Sequence, residues 1–303
     1  MDLESTAMNP STAQYRLRGT LLVATGVFII SFDALLVRLA AVDGWNVSFW
    51  RGLFMALSML PLLWRQRSRT KPTGNSYSGL WLAATLMTSS TLCLVLAFTL
   101  TKAANAVVIL SASPLFAAIF SSFFLKEICA LKTWLAILSC IGGVVWVMAG
   151  SLAGGGLQGD ILAAVSALCI GGYFTVYRHN PSLSPPSVIL RSGALLALFS
   201  CFLATPFALP LSTYGWLMLA GLIQMPAASL LMAASARYLP AAEVSLFLLL
   251  ETVLAPVWVW WIFGELPPET TLLGGGLILG TLILHTVTGL KLAKRRDRTD
   301  NPE

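Results

Sequence analysis

Ten apolar stretches, each long enough to cross a bilayer, take up most of this chain. They lie near residues 17–40, 45–64, 77–100, 104–125, 131–150, 157–177, 186–208, 213–234, 241–263 and 270–290. A helix needs about 20 apolar residues to span roughly 30 Å of hydrocarbon, so the expected fold is an all-α integral membrane protein of ten transmembrane helices. The composition agrees: 57% of residues are hydrophobic and only 11% are charged. A mean hydropathy of +0.80 lies outside the range of soluble domains.

Orientation follows from the nineteen basic residues. With a cytoplasmic N-terminus, the inner segments hold Arg16, Arg18, the cluster from Arg65 to Lys71, Lys126, Lys132, Arg178, Arg237 and the tail from Lys291 to Arg298. The outer side holds Arg38 and Lys102, while Arg51 and Arg191 fall inside spans. The positive-inside rule therefore places both termini in the cytoplasm, as an even number of spans requires. The basic pI of 9.2 is explained by these short inner loops and by anionic lipid, without nucleic acid. Residues 1–16 read as a disordered tail without a cleavable signal core, and 291–303 as a basic cytoplasmic tail. Cys93, Cys140, Cys169 and Cys201 are expected inside spans and Cys129 at an inner loop, all as free thiols.

The spans form two sets of five, 17–150 and 157–290. A shift of 140 places Gly19 on Gly159, Arg38 on Arg178 and Arg51 on Arg191; a shift of 138 places Ala104 on Ala242, Glu127 on Glu265 and Gly142 on Gly280. Arginine inside an apolar span is rare, so its recurrence at one offset points to a duplication. Five is odd, so the second copy enters the membrane the other way up, giving inverted repeats able to rock around a midplane site.

An ionisable residue at the centre of a span costs roughly 2.5–3.5 kcal/mol on insertion scales. Four such residues are present: Asp33, Arg51, Arg191 and Glu251. At about 1.5 Å per residue, Asp33 and Arg51 reach similar depth. An Asp33–Arg51 ion pair with Arg38 above it is the candidate outer gate; the alternative is a permanent pair that pins the first two spans. Its counterpart would use Arg191 with Tyr173, the equivalent of Asp33, or with Glu243. Arg178 and Glu243 also suit snorkelling to headgroups.

Glu251 falls roughly 15 Å into the ninth span, near the midplane, and its repeat partner is Ser113. Helical spacing puts Phe247, Glu251, Ala255 and Trp258 on one face. A carboxylate between aromatics suits an ammonium through charge and cation–π attraction, and could instead carry a proton. A structural bond to a neighbouring backbone is the alternative. Ser166, Tyr173 and Tyr177 on span six, Thr85, Thr88 and Ser89 on span three, and Gln224 on span eight are further candidate lining groups, although such side chains also bond neighbouring helices. Trp81 and Trp134 read as interfacial anchors. Small residues at Ser139 and Gly143, and at Gly276 and Gly280, allow close helix approach and suggest scaffold or a homodimer contact through spans five and ten. Pro114, Pro226 and Pro256 are candidate hinges or static kinks.

Two inverted fives, Arg51 in span two, the stretch Ser113 Pro114 ending in Lys126 Glu127, and the stretch Leu250 Glu251 Thr252 ending in Gly264 Glu265 resemble the drug/metabolite transporter superfamily, specifically the bacterial EamA-like exporters. The resemblance runs from about 17 to 290. It implies an inner-membrane carrier with a cavity lined by spans one to four and six to nine, exporting small metabolites or drugs; family members handle amino acids including aromatic ones, purines and cationic toxins. It also gives Glu127 and Glu265 a structural role near the interface.

A membrane enzyme is disfavoured. The histidines are His179 and His285 alone, with no metal-binding cluster, no paired nucleophile and base, and no Walker loop. No cofactor is expected. A passive channel remains a third class, and a nucleotide-sugar or phosphate-ester antiporter is disfavoured because Glu251 occupies the middle. The best fit is a carrier of small amphipathic molecules, such as an amino acid with its ammonium at Glu251 and its carboxylate near an arginine.

Overall fold

The computed structural model describes residues 12–66, 74–124, 131–152, 156–180, 182–235, 238 and 241–300. Among the described residues every regular element is helical. Seven segments are long and apolar enough to cross a membrane: Leu17–Ala40, Gly44–Arg65, Tyr77–Leu100, Ala103–Phe124, Trp134–Ser151, Leu157–His179 and Leu211–Met232. Three shorter apolar helices, Pro185–Ser200, Leu250–Phe263 and Glu269–Leu284, complete the set of ten. We number these spans 1 to 10 in chain order. With ten spans, span 1 begins and span 10 ends on one side of the bundle, called here the termini end; the connections after Ala40, Leu100, Leu152, Ser200 and Phe263 form the distal end.

The packing obeys an exchange of each span with the one five places on. Spans 2 and 7, 4 and 9, and 5 and 10 pack against their own mates. Span 3 on span 6 recurs as 8 on 1, 4 on 6 as 9 on 1, and 3 on 7 as 8 on 2. Inverted five-helix repeats produce this pattern.

Glycine fixes the register where spans 2 and 7 cross. A Cβ on Gly52 would lie 2.6 Å from the Gly193 oxygen and 2.6 Å from the Ala197 nitrogen; one on Gly193 would lie 2.6 Å from the Gly52 oxygen and 2.8 Å from the Ala56 nitrogen. This reciprocity pairs 52 with 193 and 56 with 197, an offset of 141. The sequence shift of 140 is therefore one residue short here, and the structural mate of Arg51 is Ser192. Arg191 is the mate of Trp50. One residue is a rotation of about 100° on a helix, enough to carry Arg191 off the face that Arg51 occupies.

Spans 5 and 10 also meet through glycine, but at Gly143 and Gly274: a Cβ on Gly274 would stand 2.8 Å from the Gly143 oxygen. Gly276 and Gly280, expected to mark the close contact, point into open space. Ser139 and Thr281 close the same seam, their hydroxyls 3.0 Å apart.

Spans 1, 4 and 8 are not regular. Span 1 consists of Thr12–Ile30 and Asp33–Ala40, and span 4 of Ala103–Leu110 and Ser113–Phe124. A serine sits at each break and turns back on the preceding helix: the Ser31 hydroxyl donates to the Phe28 carbonyl (2.7 Å) and that of Ser111 to Val108 (2.6 Å). Such side-chain bonds compete with the helical ladder. Pro114, with no N–H to offer Leu110, reinforces the second break. Span 8 contains a π-helical segment, Leu219–Gln224, ending two residues before Pro226. Pro256 lies within an unbroken helix, Ala241–Phe263.

Three expected boundaries change. Span 7 ends at Ser200, so Cys201 is an exposed residue of the following turn and not part of a span. The last helix runs to Asp300, and the first begins at Thr12. Strong helix formers such as Leu, Ala, Lys and Arg in 290–296 favour continuation past the apolar limit.

Candidate functional site

The break in span 1 places Asp33 in the first turn of a new helix inside the bundle, where the residue is 4% exposed. Arg51, on span 2, is fully covered and its Nη1 stands 2.8 Å from Asp33 Oδ1. The two charges are in contact without hydrogen-bond alignment: among the described residues Nε, Nη1 and Nη2 of Arg51 have no hydrogen-bond acceptor. Lipid and apolar side chains cannot stabilise either charge alone, and removing one partner of such a pair typically costs about 3–5 kcal/mol.

Span 9 brings the third charge. Its lipid face is marked by the exposed Leu250, Val253, Val257 and Trp260, and its covered face by Thr252, Ala255 and Val259. Glu251 lies on the flank toward span 1, within electrostatic range of the Asp33 carboxylate. Its side chain is half-buried on this flank. The same flank carries Phe247, which packs on Val23 and Val27 of span 1, and Trp258. The Trp258 indole N–H donates to the Ser31 hydroxyl (3.0 Å), and its ring stacks on Phe32 with centroids 4.8 Å apart and planes 15° apart. Phe28 meets both rings edge-on. An aromatic wall thus stands beside the carboxylates.

Gln224 completes the surroundings of the break. Its amide donates to the carbonyls of Ile29 and Ile30, 3.3 Å each, at a helix end where carbonyls lose their helical donors; Ile29 also accepts from the Phe32 amide (3.4 Å). Gln224 is the last residue of the π-helical segment, and Gly221 of the same segment lets it lie against Arg51: a Cβ there would be 3.0 Å from the Arg51 oxygen. Non-helical backbone at membrane depth is tolerated only where protein or a cavity surrounds it, and π-bulges recur at functional sites.

Arg38 lies further toward the distal end of the same helix and pairs away from Asp33 and Arg51. It donates to the Thr101 carbonyl (2.9 Å) and lies 3.3 Å from Glu265 Oε2. Five residues beyond Asp33, it points about 140° round the helix from it. Glu265 also accepts from the Ala103 amide (3.3 Å), and the Thr101 hydroxyl donates to Asp160 (2.6 Å). Asn105 bonds Ser151 and Thr271. These contacts tie spans 1, 3, 4, 5, 6, 9 and 10 together at the distal end. A second set holds the 201–210 connection there: Trp50 and Tyr214 both donate to the Pro206 carbonyl, at 3.0 and 2.9 Å.

Other expected site residues lie elsewhere. Arg191 donates to the Ser187 carbonyl (3.1 Å) and covers the Trp81 ring at 5.5 Å, which gives Trp81 a partner besides the interface. Tyr173 stands against Tyr177, centroids 4.9 Å apart, over an apolar cluster that includes Met55, Leu80 and Ile189. No contact between Arg191 and Tyr173 is present among the described residues. Ser113 is buried where span 4 meets Gly171 of span 6. Ser166 bonds Ser90 and Thr88 bonds Ser192, so these groups fasten span 3 to spans 6 and 7. Thr85 bonds its own helix, and with Thr88 and Ser89 it lines a cavity of about 430 Å³ between spans 2, 3 and 7, shared with Trp45 and Phe199. Glu127, Cys129, and the side chains of Glu243 and His285 lie outside the described residues.

Sequence reasoning missed Ser31, Phe32 and the Thr101–Asp160 pair. The signal for the break was the adjacent Ser31, Phe32 and Asp33, since serine and aspartate both compete for backbone groups.

A profile of the EamA-like transporter family matches residues 17–149 and, a second time, 157–287. The chain belongs to this family. It is accordingly a multi-pass membrane transporter of the drug/metabolite type, with one family unit in each repeat. No curated protein matches the chain. A solved crystal structure is similar, with a TM-score of 0.65 and 18% identity, covering 89% of this chain and 96% of the other; at that identity the likeness shows the fold alone.

Proposed function

We propose that this EamA-family protein exports small amphipathic metabolites, amino acids or organic cations, across the bacterial inner membrane by alternating access, with both termini cytoplasmic. The observation that carries the reading is the half-buried Glu251 beside the Asp33–Arg51 pair and the Phe28, Phe32 and Trp258 wall. Glu251 takes the ligand's ammonium or a proton in turn, and the aromatic wall takes its apolar part. Asp33 and Arg51 hold the span 1 break in place and gate passage beside it. The distal contacts of Arg38 with Thr101 and Glu265 close the outer side in this reading, and rocking of the repeats opens it. A passive channel, in contrast, would show flux linear in substrate and no counterflow. A homodimer through the outward Gly276 and Gly280 face belongs to the same proposal.

The test is proteoliposome counterflow of aromatic amino acids and amines by unmodified protein and by Glu251→Gln. Loss of at least tenfold in rate, together with loss of the pH dependence, is expected; a variant transporting at the full rate with its pH dependence intact removes Glu251 from the mechanism.

A further inference from the structure

Arg191 carries a charge that the described residues leave unmatched. It lies on the stripe of span 7 that also holds the exposed Ala194, Leu198 and Phe199, a stripe that faces lipid, where an unpaired cation is expensive. Among the described residues its contacts are the Ser187 carbonyl (3.1 Å) and the Trp81 ring (5.5 Å), and it forms no ion pair. Ser187 is one turn nearer the termini end, so the side chain leans toward the membrane surface as a snorkelling arginine does. Stacking on the indole covers one face of the guanidinium and leaves N–H groups at its edge, an arrangement suited to a phosphate.

The cavity of about 430 Å³ between spans 2, 3 and 7 begins one turn beyond Trp81, at Thr85, and extends to Leu92, Phe199 and Leu203. Trp81 to Leu92 is about 16 Å along the helix. That is about half of the roughly 30 Å of hydrocarbon in a bilayer, the depth one acyl chain fills. The threonines on its wall are already bonded: the Thr85 hydroxyl donates to the Trp81 and Leu82 carbonyls (3.0 and 2.9 Å), and that of Thr88 to Ala84 (2.8 Å). They therefore present their methyl groups to an occupant, which favours an alkyl chain over a polar cargo. We infer that spans 3 and 7 hold a phospholipid of the leaflet at the termini end, its phosphate on Arg191 beside Trp81 and one acyl chain in the groove toward Leu92 and Phe199. With no carboxylate paired to Arg191, the site selects a headgroup of net negative charge over a zwitterionic one. Span 3 belongs to the first repeat and span 7 to the second, so the bound lipid bridges the two halves of the molecule.

The experiment titrates phosphatidylglycerol onto the delipidated full chain in detergent and counts bound lipid by native mass spectrometry. Diacylglycerol, which has the chains without the phosphate, and glycerol 3-phosphate, which has the phosphate without the chains, serve as competitors. Neither is expected to displace the lipid. Arg191→Gln is expected to weaken binding about tenfold or more, the range of a charge-assisted hydrogen bond, while Arg65→Gln, which removes an exposed cation at the end of span 2, leaves it unchanged. Phosphatidylglycerol with a photoreactive diazirine near the end of one acyl chain is expected to label spans 3 and 7 around Leu92 and Phe199. Full affinity in Arg191→Gln, an equal loss in Arg65→Gln, displacement by diacylglycerol, or labelling spread evenly over the spans overturns the inference and leaves Arg191 a cation that meets headgroups without selecting one. Should Arg191→Gln fail to fold by gel filtration, the competitors and the labelling pattern of the unmodified protein decide.

Discussion

Spans 1 and 6 are copies of one ancestral helix, yet they do opposite things at the same depth. At the shift of 140, Ser31, Asp33 and Arg38 correspond to Gly171, Tyr173 and Arg178. Span 1 breaks at Ser31 and offers a buried carboxylate to Arg51. Span 6 runs unbroken from Leu157 to His179; Gly171 admits span 4 to within 2.7 Å of where its Cβ would stand, and Tyr173 packs on apolar side chains. Only one copy carries the charge pair among the described residues: Asp33 meets Arg51, the mate of Arg51 is Ser192, and Tyr173 packs on apolar side chains.

Exchanging residues between the two spans tests this asymmetry most severely. Tyr173→Asp buries a carboxylate among Met55, Leu80 and Ile189, and Arg51→Ala strands Asp33. Each is expected to cost about 3–5 kcal/mol, read as a large fall in melting temperature of the detergent-purified protein. If Tyr173→Asp melted like the unmodified protein, the two spans would be equally polar after all. The double change Asp33→Ala with Arg51→Ala is expected to recover part of the loss, because contacting pairs are not additive.

Gly171→Ser gives span 6 the residue found at the break of span 1. Its Cβ would lie 2.7 Å from Phe116 Cβ and 2.8 Å from the Ala117 nitrogen, an overpacking expected to cost about 1–3 kcal/mol. A neutral melting shift would mean that spans 4 and 6 are less tightly seated than these distances require. Smaller again is Arg38→Ala. The Arg38 and Glu265 side chains keep 30% and 23% exposure, so the pair is worth about 1 kcal/mol or less; the expected readout is faster reaction of a cysteine placed at Thr101 with an impermeant thiol reagent. The mildest change, Tyr173→Phe, is expected to move stability by about 0.5 kcal/mol or less, since the ring contributes by packing.

Depth along a span could be read from the sequence, and direction around it could not. Counting residues puts Asp33 and Arg51 at one level, and they meet. The height of Arg38 is equally easy to count, but its partner is Glu265, 227 residues away, reached by an azimuth that counting ignores. The repeat was legible from its rare residues, yet matching arginine to arginine set the register one position away from the one imposed by Gly52 and Gly193. Close backbone approach decides register by sterics, whereas sequence matching rewards chemical likeness. Glu251 stood out because a carboxylate in an apolar run is expensive; Ser31 and Phe32 did not, because serine and phenylalanine are ordinary in such runs.

The sequence by itself determined that this chain lives in lipid, crosses it ten times and consists of two oppositely inserted halves. Those facts follow from hydropathy and parity, which are properties of each segment alone. Only the tertiary structure decided where spans 1, 4 and 8 lose regularity, which arginine keeps a buried partner and which groups clasp the distal end. Such outcomes depend on what neighbouring helices present at a given height and angle, and the energy of a buried charge or an unpaired carbonyl is fixed by those neighbours.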